Sequence, residues 1–165
     1  MRSLILSLVI VLAVCGCSSV APPSAPVPAN PADQRAGAPA GLVVERRWLQ
    51  SWFEGTPVHI AQGSDGAVSI EVPREFSFDP GHTSVKPPLA AVLDKVAESL
   101  RRLPLARLSQ VAAPDDATTA GPMGLQRAAQ MHKHLLARGV PASQLGKPTA
   151  TPAAAVQLRL EAAPS

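Results

Sequence analysis

The sequence predicts an α+β fold of two layers, with two helices packed on one face of a β-sheet. Two apolar stripes at helical spacing predict the helices. Leu89, Val92, Leu93, Val96, Leu100 and Leu103 form the first, and Leu125, Ala128, Met131, His132, Leu135 and Leu136 the second. Short alternating segments predict the sheet. Val68, Ile70 and Val72 alternate with polar residues, as do Val156, Leu158 and Leu160, which is the period of a strand with one buried face. From Phe76 onward the elements run β-α-β-α-β.

Taken in order, Val44 to Phe53 reads as helix or strand. Trp48 and Trp52 share a helical face, with Leu49 and Phe53 beside them. Val58–Ala61 and Ala67–Val72 read as strands joined by the hairpin turn Gly63-Ser64-Asp65-Gly66. Phe76 to Pro80 reads as a short strand entering a loop. The first helix ends near Pro104, and Ala106–Ala112 reads as a strand. The second helix stops at Gly139 and Pro141, and Val156–Leu160 is the last strand. No internal repeat is visible. The two tryptophans and three phenylalanines all lie between residues 48 and 78, so the N-terminal helix and hairpin are expected to supply much of the core's bulk. The Trp48/Trp52/Phe53 cluster is read as packing against the sheet, in preference to a patch facing a partner or membrane.

The first residues read as a targeting segment. Arg2 precedes an apolar run from Leu4 to Val14, which is far shorter than the roughly 20 residues of a membrane-spanning helix. Leu12-Ala13-Val14-Cys15-Gly16-Cys17 resembles the bacterial lipobox, in which an aliphatic residue stands three before the modified cysteine and a small residue one before it. Val14 and Gly16 satisfy this for Cys17, while Cys15 fails it because Val14 directly precedes it. The expectation is cleavage before Cys17 and lipid on its sulfur, leaving no free thiol. Proteins of this kind carry more than one acyl chain, which anchors stably where one chain does not. Ser18 follows the cysteine where aspartate would favour inner-membrane retention, so sorting to the outer membrane is expected. Residues 18 to 41 hold Pro22, Pro23, Pro26, Pro28, Pro31 and Pro39 among small residues, the composition of an extended tether. The expected division is a leader at 1–16, a lipidated cysteine and linker at 17–42, a helix/hairpin extension at 43–75 and a folded domain at 76–162.

Composition excludes several functions. The chain carries +3, and without Arg2 about +2, too little to imply nucleic acid. Aromatic residues are 3%, with no tyrosine, which argues against a stacking platform for sugars or single strands. His132 and His134 stand two apart on a helix and face different sides, while His59 and His82 are isolated, so no metal site is expected. Serine, histidine and aspartate occur in no catalytic motif. Neither enzymatic activity nor a cofactor is expected.

The stretch from Phe76 to Leu160 carries a more specific pattern. Phe76-Ser77-Phe78-Asp79 looks like an opening F-x-F-D strand. Val85-Lys86-Pro87, Val92-Leu93 and Val96-Ala97 match a first helix of pattern L-K-P, V-L, I-A. Leu125-Gln126-Arg127-Ala128 is similar to L-S-x-x-R-A, and Gly139 to Leu145 is very similar to the turn G-I-P-A-S-R-L. In these segments the chain resembles the OmpA-like peptidoglycan-associated domain. Three departures stand out. The family's G-H-T-D is Ala112-Ala113-Pro114-Asp115 here. The loop from Asp115 to Arg127 is shorter and lacks the family's asparagine. Lys147 to Pro152 and the following residues replace its G-x-G and N-R-R-V-E segment.

The resemblance implies a ligand, the diaminopimelate residue of the peptidoglycan stem peptide, whose end bears an ammonium and a carboxylate. It assigns Arg127 to the carboxylate and Asp115 to the ammonium, with Asp116 competing for the latter role. A bidentate guanidinium and a helix N-terminus suit that chemistry. The plainer reading of the same residues is that Asp115 and Asp116 cap a turn and Arg127 is a surface helix residue. The implied function is a lipoprotein on the periplasmic face of the outer membrane, linking it non-covalently to the wall. The alternative is an envelope scaffold that keeps the fold, contacts other envelope proteins and has lost the wall ligand.

Overall fold

The computed structural model describes residues 31–163, with side chains from residue 41 onward. The expected leader, Cys17 and the first part of the linker lie outside these residues. The described chain forms α1 (Pro31–Trp52), β1 (His59–Gln62), β2 (Val68–Pro73), a short α2 (Arg74–Ser77), α3 (Pro87–Arg102), β3 (Ala106–Pro114), α4 (Pro122–Ala137), a 3-10 turn (Ala142–Gln144), β4 (Pro148–Thr151) and β5 (Ala155–Ala162). The strands make one sheet of order β1-β2-β5-β3-β4. All neighbours are antiparallel except β3 and β4, which are joined by α4 as a crossover. The two-layer α+β arrangement expected from the sequence is the one found.

The alternation that predicts the strands sorts residues between the sheet's two faces. Val68, Ile70, Val72, Leu108, Val111, Val156, Leu158 and Leu160 are buried beneath the helices. The opposite face is polar. Gln110 donates to Gln157 at 3.3 Å, and Arg107 pairs with Glu161 at 3.1 Å. From α3, Leu89, Val92, Leu93, Val96 and Leu100 complete the same core, as their spacing predicts; Ala97 joins them, and Leu103 is only partly buried. At its far end α4 stops on Gly139, whose φ is 81°. Gly139 N–H donates to Leu136 O at 2.9 Å and Val140 N–H to Leu135 O at 3.2 Å, the paired bonds that a left-handed residue allows.

Several elements differ from the sequence reading. Phe76 to Pro80 is not a strand. Residues Arg74–Ser77 form one helical turn, in which Ser77 Oγ donates to Pro73 O at 2.9 Å and Phe78 N–H to Arg74 O at 2.9 Å. The strand that opens the β-α-β-α-β order is β2, the second strand of the hairpin. β4 was not expected. It has four residues at the sheet edge and begins with Pro148, the place where a missing N–H costs least. The buried face of α4 is Gly124, Arg127, Ala128, Met131 and Leu135, while Leu125 and Leu136 are 50% and 41% exposed. Gly124 explains the shift. A Cβ there would stand 2.8 Å from Ala113 O, so only glycine lets the helix approach β3 this closely.

The Pro/Ala-rich stretch expected to be extended through residue 42 is helical from Pro31. Proline suits a first helical turn, and α1 has a face to bury, with Leu42 and Leu49 both in the common core. The aromatic residues are not the core's bulk, since Phe78 alone of them is buried and Trp52 is 55% exposed. Trp48 and Trp52 instead lie along the seam with α3. The Arg102 guanidinium sits 3.8 Å from the Trp48 ring centre and Lys95 Nζ 3.8 Å from that of Trp52. Beneath them Glu45, 5% exposed, accepts from Ser99 Oγ at 2.7 Å and pairs with Arg102. No helix among the described residues is long and apolar enough to cross a membrane.

Candidate functional site

Arg127 lies on the inward face of α4, where the helix crosses the end of β3. Its side chain is 0% exposed. Charged groups are buried only where partners replace water, and Arg127 has a full set. Nε donates to His82 O at 2.9 Å, Nη1 to Pro114 O at 2.9 Å, and Nη2 to Asp79 O at 3.1 Å. Nη2 also reaches Asp116 Oδ1 at 2.7 Å. The Phe78 ring centre lies 4.9 Å from the guanidinium carbon. One arginine therefore ties together the end of β3, the loop before α4 and the loop from Asp79 to His82.

The two aspartates divide their work. Asp115 Oδ2 accepts from Met123 N–H at 3.1 Å and Gly124 N–H at 3.2 Å, and Oδ1 from Asp116 N–H at 2.7 Å. The helix begins after Gly121, which has no side chain to cap it, so Asp115 supplies the oxygen from the strand end. The Gly124 N–H above all holds its carboxyl below the ordinary aspartate value. Asp116 Oδ2 accepts from Gly81 N–H at 2.6 Å while Oδ1 meets Arg127. Its carboxyl too lies below the ordinary value, chiefly through the Gly81 N–H and then through Arg127. Arg74 Nη1 donates to the carbonyls of both aspartates, each at 2.9 Å.

The structure thus brings Asp115 and Arg127 to one junction, joined through Pro114 and Asp116, but each is occupied by the fold. Arg127 is not a surface residue. The turn-capping reading holds for Asp115. Beside them opens a groove of about 430 Å³ lined by Arg74, Glu75, Phe78, Pro80, Lys86 and Asp116. Within it Lys86 Nζ pairs with Asp79 at 3.0 Å and donates to Glu75 O at 2.9 Å. The sequence signals Asp116 only as a neighbour of Asp115. Gly81 and the three carbonyls carry no signal, because main-chain groups are common to all residues.

The histidines stand apart from this junction, except that the His82 carbonyl belongs to it. His134 Nε2 lies 2.7 Å from Asp94 Oδ1, which also meets Arg138 Nε at 2.7 Å on the outside of α3 and α4. Among the described residues no group of three or more His, Cys, Asp or Glu is placed to hold a metal ion.

No family model and no curated protein matches this sequence. Solved structures do. A MotB-like protein from Desulfovibrio vulgaris superposes with a TM-score of 0.57 at 15% identity, covering 80% of this chain and 97% of that one. The cell wall anchor of the type VI secretion system from Pseudomonas aeruginosa gives 0.54 at 16% identity, over 70% of this chain and 95% of its own. The periplasmic domain of Helicobacter pylori MotB, residues 90–256, gives 0.53 at 14% identity, over 66% and 82%. Identities this low speak for architecture alone. The architecture agrees with the two-layer α+β arrangement that the sequence leads one to expect: the chain shares the fold of these structures.

Proposed function

We propose that this chain is a lipid-anchored envelope protein whose OmpA-like domain holds peptidoglycan non-covalently, as a binding module and not an enzyme. The observation that carries the reading is Arg127. The residue assigned by resemblance to the ligand carboxylate stands where the end of β3, the start of α4 and the loop from Asp79 to His82 meet, beside an open groove. Asp115 is one residue from the strand end and orders the first turn of α4, whose N–H groups favour an anion. Two of the similar structures are described as a cell wall anchor and a periplasmic domain, which is consistent with this role. The anchor in this reading is Cys17, framed by Val14 and Gly16, with Ser18 directing the protein to the outer membrane.

A second reading rests on the same residue. Arg127 is wholly enclosed, and a scaffold that had lost its wall ligand would use it as a structural tie. Co-sedimentation of the full-length chain with purified sacculi separates the two. The wall reading expects the protein in the pellet, and its retention in the supernatant at physiological salt would favour the scaffold. For the anchor, Cys17→Ser should abolish incorporation of radiolabelled palmitate. Label persisting at another residue would sink the lipobox assignment.

A further inference from the structure

Four hydrogen bonds hold the Arg127 guanidinium, and their acceptors are of two kinds. Pro114, Asp79 and His82 offer main-chain carbonyls, fixed by a strand end and a loop. The fourth acceptor is a side chain. Asp116 keeps 35% of its side-chain surface in solvent, against 0% for Arg127. Rotation of one side chain would therefore uncover Arg127 Nη2 without moving a strand or helix. It would uncover a second donor as well, since the other Asp116 oxygen holds Gly81 N–H at 2.6 Å. Two donors bridged by the two oxygens of one carboxylate make a carboxylate site. Here its occupant belongs to the chain. Gly81 has a φ of 71°, a conformation suited to glycine, and it turns the loop where its N–H meets Asp116. The groove lined by Asp116, Pro80 and Phe78 opens on the solvent side of that carboxylate, so a group lying in it meets Asp116 first.

We propose that Gly81 N–H and Arg127 form a carboxylate-binding site latched by Asp116, and that a ligand carboxylate enters by displacing that side chain. The inference rests on the wall-binding reading for the ligand's source, the stem peptide, and on geometry alone for the latch. Displacement makes apparent affinity the intrinsic affinity multiplied by the fraction of time the latch is open. The wild-type protein should accordingly bind carboxylates more weakly than a protein without the latch.

The test uses the full-length, isotopically labelled chain in detergent, with acetate as probe and chloride at equal ionic strength as control. The Gly81 amide and Arg127 Nε–H resonances are followed by NMR. In Asp116→Ala both should shift saturably with acetate, at a midpoint at least about tenfold lower than in wild type. Asp116→Asn, which keeps an acceptor and the side-chain volume, gives a second reading should the alanine variant fold poorly, and should fall between the two. Adding Arg127→Lys to either variant should remove the response. Midpoints equal in wild type and both variants, or no saturable shift at Gly81 in any of them, overturn the latch. Sacculus sedimentation of the same proteins judges the wall reading separately. If acetate binds the unlatched variants and none pellets, the latch stands and the wall reading falls. If wild type and both variants pellet with equal affinity, the wall reading stands and the latch falls.

Discussion

Two buried charges organise this molecule, and they are built in opposite senses. At the seam between α1 and α3 the acid is inside. Glu45 is 5% exposed, and its partner Arg102 is partly in solvent and lies against Trp48. At the junction of β3 and α4 the base is inside. Arg127 is fully enclosed, and its charged partner Asp116 is reached by water. The remaining partners differ too. Glu45 has the Ser99 hydroxyl, whereas Arg127 has three carbonyls of the main chain. A buried charge needs its partners, but an exposed partner contributes little net energy because water competes for it. The difference teaches where change is tolerated. Replacing an exposed partner should cost less than replacing the buried member, because Glu45 keeps the Ser99 hydroxyl and Arg127 its three carbonyls.

Removing the enclosed base should have the largest effect. Arg127→Ala leaves the carbonyls of Pro114, Asp79 and His82 without their donor and opens a hole beside Phe78, so a loss of about 3–5 kcal/mol is expected in urea denaturation. Arg127→Lys should recover little, since an ammonium lacks the planar fork. A purely apolar loss calibrates this. Leu93→Ala, in the centre of α3 and 0% exposed, should cost about 2–5 kcal/mol. The enclosed acid should matter less, because its seam borders solvent. Glu45→Ala should cost about 1–3 kcal/mol, and Arg102→Ala less than that. Should Glu45→Ala prove as damaging as Arg127→Ala, the contrast between the two sites is wrong.

The smallest effect is expected with acid. Asp116 titrates below its ordinary value in the folded chain, so its stabilising contribution is complete above about pH 4 and is lost as pH falls through the depressed value. Asp115 follows the same sign through its helix contacts. Asp116→Asn should therefore lower the urea midpoint modestly at neutral pH and flatten its dependence on pH below about pH 4, where wild type and variant converge. An unaltered slope would remove the Asp116 carboxylate from the folded-state network.

What the sequence reveals and conceals follows from how each part is buried. α3, β2 and β5 were legible because their burial is periodic and apolar. α2 was missed because Phe76 and Phe78 imitate alternation, although Phe78 is buried and Phe76 is 39% exposed on a helical turn. The phase of α4 was misread because its buried face includes a glycine and an arginine, which hydrophobic periodicity counts as solvent residues. α1 was read too short, since prolines and small residues mark a linker until a docking face is known. The site was half legible. Motif resemblance picks out Arg127 and Asp115, and geometry unites them. Asp116's part depends on Gly81 N–H and the enclosure of Arg127, and both arise only once two loops distant in sequence have met.

The place of β5 in the sheet has a consequence for how the chain acquires its shape. It is the last strand of the described chain, yet it lies between β2 and β3 and pairs with both, Val68 opposite Leu160 on one side and Val111 opposite Leu158 on the other. Until it is present, the two halves of the sheet have facing edges and no partner. Contacts that close such long loops slow folding, because chain entropy is lost before the pairing is gained. The sheet should thus close in one late step, when β5 inserts between β2 and β3. That order of events makes β5 the strand whose loss would split the sheet into the pairs β1-β2 and β3-β4.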